Sequence, residues 1–219
     1  MVENRDHPGG SLEFQAERFA DHLGKISSFL DENSSVSIES VVLSEAPGKR
    51  ISGRIAFPHN LLVLFDYRVF LDPESGFLTV DQSTFSVIRG HEGKEPLVRW
   101  DYIRSPRSTI PCAHIQIHSH GDEWMHALLL SGHHSRRARR RIKNAARTPR
   151  IANVHFPVGG RRFRPCLEEV LLFVIDEFGA ACAPQARDAL YRGIREWEKI
   201  QLRVAVRHDR AVALEALET

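Results

Sequence analysis

The alternation of apolar and polar positions divides the chain into three parts. Over residues 11–32, Leu12, Ala16, Phe19, Leu23, Ile26 and Leu30 recur at helical spacing. Ser11 is placed to cap the first turn and Asn33 to stop the helix. The period then shortens. Residues 36–44, 51–57, 61–71, 77–89, 97–104 and 112–120 form short runs rich in β-branched and aromatic side chains. Between them lie turn formers: Ala46-Pro47-Gly48-Lys49, Pro58-His59-Asn60, Asp72-Pro73-Glu74-Ser75-Gly76 and Gly90-His91-Glu92-Gly93-Lys94. Connections this short predict antiparallel hairpins, because parallel neighbours need longer crossovers.

The third part returns to helical spacing. A short helix is expected over residues 122–131, ended by Gly132. Ser135 is placed to cap a basic helix reaching about Arg147, and Thr148-Pro149 breaks it. A strand over 151–158 leads into the turn Gly159-Gly160. Pro165 is placed at the first position of a helix over 168–178 that Gly179 closes. A last helix from about Gln185 carries Leu190, Ile194, Trp197, Ile200 and Val204 along one stripe. The predicted fold class is α+β: an antiparallel sheet of about six to seven strands, flanked by an N-terminal helix and C-terminal helices. The predicted organisation is a flexible N-terminus over 1–10 and one domain over 11–219. That domain carries a basic insertion at about 121–150 and a C-terminal helical part at 165–219.

Composition narrows the setting. With 42% hydrophobic and 26% charged residues the chain is globular in type. Its apolar runs are too short to span a bilayer, so no transmembrane segment is expected. The N-terminus lacks the charged-then-apolar order of a signal peptide. Cys112, Cys166 and Cys182 are odd in number and lack C-x-x-C spacing, which suits a reducing compartment. A cytoplasmic location is the expectation.

Charge changes the picture further. Between Trp124 and Leu167 there is no Asp or Glu, yet eleven Lys or Arg occur: Arg136, Arg137, Arg139, Arg140, Arg141, Lys143, Arg147, Arg150, Arg161, Arg162 and Arg164. Removing them from the formal net charge of +2 leaves −9 on the rest. Such concentration creates a local field for an anionic partner. RNA or DNA phosphate is one candidate, and an acidic protein is another. A solvated surface loop is the plain alternative. Glu168 and Glu169 are placed to satisfy a helix N-terminus and to pair with Arg161 or Arg164.

The richest chemistry lies in the run Ala113-His114-Ile115-Gln116-Ile117-His118-Ser119-His120. Strict alternation puts His114, Gln116, His118 and His120 on one face of a strand. In the preceding strand, pairing Trp100 and Tyr102 with the isoleucine side places Arg99 and Asp101 beside the histidines. This register is preferred because it buries no unpaired charge, whereas a slip of one residue inverts it. His114, His118 and His120, with Arg99 and Asp101, are candidates for general acid–base work on a phosphodiester. A divalent transition metal held by His118, His120, Glu123 and His155 is the competing reading. A solvated polar face is the third.

Two resemblances bear on these segments. Residues 155–179, HFPVGGRRFRPCLEEVLLFVIDEFG, resemble the C-terminal part of uncharacterised actinobacterial proteins. The Arg99-Trp100-Asp101 run, followed by Pro111, His114 and His118, resembles the R-Y-D and histidine-rich strands of TumE-type small toxins over about residues 60–120. It departs from them at Trp100, in the histidine spacing, and in its basic insertion and C-terminal helices. That resemblance implies an RNA-directed toxin with an antitoxin partner. The functional expectation is a nucleic-acid-associated protein, nuclease-like or toxin-like. A non-catalytic module engaging an acidic partner and a small His-ligated metalloenzyme are the alternatives.

Overall fold

The computed structural model describes residues 10–43, 46–90, 96–105, 112–117, 121–130, 132, 134–136, 139 and 164–218. Helix α1 (Leu12–Ser28) is followed by six strands: β1 (Ser35–Leu43), β2 (Ala46–Phe57), β3 (Leu61–Leu71), β4 (Leu78–Arg89), β5 (Pro96–Ile103) and β6 (Ala113–Ile117). Then come α2 (Gly121–Leu129), α3 (Leu167–Phe178), α4 (Ala186–His208) and α5 (Arg210–Leu217). The strands form one open antiparallel sheet in the order β1-β2-β3-β4-β5-β6, each paired with its neighbour in sequence. The chain is α+β, with the helices at the two ends that the periodicity predicts. Among the described residues no helix is long and apolar enough to cross a membrane.

The alternation within each strand gives the sheet two unlike faces. One row of paired residues runs Val36, Gly53, Phe65, Phe85, Trp100, Ile115 across the six strands. This is the core face. Trp100 meets Phe173 of α3 edge-on at 5.2 Å between ring centres, and Tyr67 meets Phe19 of α1 at 5.0 Å. A one-residue step along each strand reaches the opposite face, where Ser37, Ser52, Asp66, Thr84, Asp101 and His114 lie side by side. Every member of that row is polar.

Helix α3 is the keystone of the core. Leu167, Val170, Leu171, Phe173, Val174, Ile175 and Phe178 are all buried, so the helix is covered on every side. It touches α2 and α4 as well as the sheet. Two carboxylates are buried along it. Glu168 receives the His22 Nε2 from α1 at 2.8 Å. Gly193 of α4 faces that carboxylate so closely that a Cβ there would stand 2.5 Å from Glu168 Oε1.

Several local expectations are corrected. The sequence places the end of α1 at Asn33, but the helix stops at Ser28. Asp31 then uses one carboxylate oxygen on the Asn33 N–H (3.0 Å) and the other on the Ala56 N–H of β2 (2.8 Å). Ser11 does cap, accepting from the Phe14 N–H. Ala46-Pro47-Gly48-Lys49 is strand, not turn. Gly48 is needed there because a Cβ would stand 2.6 Å from the Leu43 side chain and 2.9 Å from the Val69 carbonyl. Pro165 does not open α3: Cys166 is its N-cap, and Glu169 turns back to accept the Cys166 N–H at 3.0 Å. Gly179 does close it, at φ 64°. The last helix is two, parted at Asp209. Its stripe is buried at Leu190, whereas Ile200 and Val204 are 50% and 44% exposed. The expected basic helix to Arg147, the strand over 151–158 and the Gly159-Gly160 turn lie outside the described residues.

Candidate active site on the open sheet face

Strands β4, β5 and β6 bring a connected polar cluster to the face that no helix described here covers. The register pairs Arg99 with Gln116, Trp100 with Ile115 and Asp101 with His114. Arg99 and Asp101 therefore share a face with His114, the grouping preferred on the sequence to avoid burying unpaired charge. On the other side of β5, Thr84 pairs with Asp101 and Ser86 with Arg99.

The Asp101 carboxylate is the hub. Its Oδ1 accepts from the Thr84 hydroxyl at 2.9 Å, and its Oδ2 accepts from Arg99 Nε at 2.7 Å. His114 Nε2 stands 3.6 Å from the same Oδ2. Arg99 Nη2 donates to Gln116 Oε1 at 2.6 Å. Asp101 is 8% exposed, so its charge is held by neighbours more than by water. The Arg99 side chain keeps 37% of its surface. A guanidinium has five N–H donors and two are used here, so the exposed edge of Arg99 is equipped to take an anion. A histidine beside a fixed carboxylate is a candidate general acid–base group.

The remaining candidates fall elsewhere. Glu123 lies on α2, where its carboxylate receives Arg89 Nη1 at 2.8 Å. His118, His120 and His155 lie outside the described residues, so the proposed metal set of these three with Glu123 is represented only by that ion-paired carboxylate. Among the described residues no group of three or more His, Cys, Asp or Glu side chains is gathered to hold a metal. Arg137, Arg140, Arg141, Lys143, Arg147, Arg161 and Arg162 are likewise outside the described residues.

The two flanks of the basic stretch are described, and both are anchored. Arg136 and Arg139 are exposed with helical backbone. Ser135 accepts the Arg139 N–H on its carbonyl at 3.0 Å, and its buried hydroxyl donates to the Asp176 carbonyl of α3. At the other flank, Arg164 does not pair with Glu168 or Glu169. Its guanidinium lies 4.8 Å from the Tyr102 ring centre and 4.5 Å from that of Trp197, and burial pulls its pKa down. Trp197 Nε1 in turn donates to the Arg164 carbonyl at 3.4 Å. Both anchors are on the helix side of the sheet, opposite Arg99, Asp101 and His114.

Sequence reasoning missed Thr84. Nothing in a strand of alternating Ser, Thr and Val singles out one hydroxyl, and its partner is 17 residues away. It also missed the His22–Glu168 pair, whose members are 146 residues apart. Compared with protein-family models, curated proteins and solved structures, the chain matches none.

Proposed function

We propose that this protein binds RNA and cleaves it at the phosphodiester backbone. The connected Arg99–Asp101–His114 cluster on the open sheet face is the observation that carries the reading. Arg99 holds a non-bridging phosphate oxygen through its exposed edge. His114 takes the proton of the ribose 2′-hydroxyl, and Asp101 steadies the imidazolium that results. The 2′-oxygen then bonds to phosphorus, the bond to the 5′-oxygen breaks, and that oxygen collects a proton from water or a second acid. The products are a 2′,3′-cyclic phosphate and a 5′-hydroxyl. The basic stretch, through Arg136 and Arg139 among others, supplies sequence-independent attraction for the polyanion. The resemblance to TumE-type toxins favours the same substrate.

The test is cleavage of a mixed, end-labelled RNA pool beside single- and double-stranded DNA, with and without chelator, followed by salt titration of binding. His114→Gln should cut cleavage by about 100-fold or more, with RNA binding unchanged at low salt. Neutralising Arg139, Arg140 and Arg141 together should weaken binding and lower its salt slope by roughly 2–3. RNA binding without cleavage by the wild-type chain would overturn the catalytic reading, and no binding even at low salt would overturn the whole.

A further inference from the structure

Asp101 lies on β5 between two flanking strands, and each of its oxygens has a different neighbour. Thr84, on β4, holds Oδ1 at 2.9 Å; Oδ2 is thereby turned toward β6, where His114 Nε2 stands at 3.6 Å. We propose that Thr84 is a positioning residue for His114: its hydroxyl fixes the rotation of the Asp101 carboxylate that faces the imidazole. This deepens, and rests on, the reading of His114 as the proton-transfer group.

Without that hydroxyl, Asp101 has another partner within reach. Arg99 is two residues away on the same strand and already donates its Nε to Oδ2. A guanidinium fork matches both oxygens of a carboxylate. With Oδ1 released, Asp101 is free to swing onto Arg99 as a two-bond pair and to withdraw from His114. Among the described residues, Asp101 and Arg99 of β5 are the charged groups on the face that His114 shares with its neighbouring strand, and Gln116 is the uncharged member. The imidazole then loses the carboxylate that faces it and keeps the guanidinium as its charged neighbour. Threonine differs from valine only by this hydroxyl in place of a methyl. The effect of Thr84→Val therefore isolates the hydrogen bond.

The experiment is an NMR comparison of the histidine ring signals in the full chain, with His114 assigned by its loss in His114→Gln. Wild type, Thr84→Val, Thr84→Ser, Thr84→Ala and Asp101→Asn are compared. Thr84→Val and Thr84→Ala should each move the His114 ring signals toward their place in Asp101→Asn, and Thr84→Ser should restore them. The remaining histidine signals should stay in place, reporting an intact fold. In cleavage assays the Val variant should lose kcat with KM unchanged, and Thr84→Ser should recover it. A His114 signal in both Thr84→Val and Thr84→Ala that overlays wild type, while Asp101→Asn moves it, would overturn the positioning role alone. If Asp101→Asn leaves His114 unmoved, the Asp101–His114 pairing itself fails, and the catalytic reading goes with it.

Discussion

The two faces of the sheet use charge in opposite ways. On the helix-covered face, ionisable groups are few and sealed by shape. Glu168 is buried against His22, with no room for a Cβ at Gly193 beside it, and Arg164 is clasped between two aromatic rings. These groups tie helices to the sheet and to one another. On the open face, Arg50 Nε donates to Asp66, and Arg99, Asp101, His114 and Thr84 form a chain of contacts that water still reaches. The same kinds of side chain act as struts on one side and as available chemistry on the other. Burial of the surrounding residues makes the difference, not residue type.

That contrast can be broken from the helix side first. Trp100 is 1% exposed and rests on Phe173, so Trp100→Ala should lower unfolding free energy by about 3–5 kcal/mol. Its neighbour Asp101 points the other way, and Asp101→Asn should lose cleavage while costing less stability, about 1–3 kcal/mol by urea titration. A stability loss from Asp101→Asn as large as that from Trp100→Ala would erase the distinction between the faces.

A smaller effect sharpens it through pH. The hydrogen bond to Glu168 holds the His22 pKa above its ordinary 6.5, against the opposing pull of burial. The folded state thus binds the proton more tightly than the unfolded chain. The pair's contribution is complete below pH 6.5 and fades as pH rises through the higher folded value. His22→Gln should therefore narrow the gap to wild type on going from pH 6 toward pH 9. Because the imidazole is 46% exposed, the span should be within about 1 kcal/mol. A gap that widens with pH would reverse the assignment.

The smallest expected effect is a gain. His59 and Asn60, between β2 and β3, sit at φ 64° and 59°. Glycine occupies that region without strain, so His59→Gly should raise the thermal midpoint modestly, by about 0.5–1 kcal/mol in stability. A loss instead would mean that the imidazole makes contacts worth more than the backbone strain.

Much of this was readable in the sequence, for a physical reason. Each strand separates an apolar face from a polar one, so the alternation of Phe65 with Asp66 or Trp100 with Asp101 announces both strand and orientation. The pairing of Asp101 with His114 followed from refusing to bury a charge alone. Glycines and prolines were harder. Gly48 and Gly132 look like turn or stop signals, yet each permits close packing: Gly48 beneath Leu43, and Gly132 against the Gly179 carbonyl. Side-chain bonds between distant strands and helices, such as Thr84 to Asp101 and His22 to Glu168, leave no periodic trace. They depend on rotamers and on where whole elements dock.

The order of the elements also sets the order of events at the ribosome. Every strand pairs with the one before it, so the six-stranded sheet can zip hairpin by hairpin as it is synthesised. Its apolar face, partly covered by α1, is completed by α3, whose last residue lies about 60 residues beyond the end of β6. At about 5–20 residues per second, that is roughly 3–12 s during which Trp100 lacks the Phe173 ring that covers it. A nascent chain stalled in that interval is a half-built sandwich, adhesive to other chains and a natural client for chaperones that shield apolar surface.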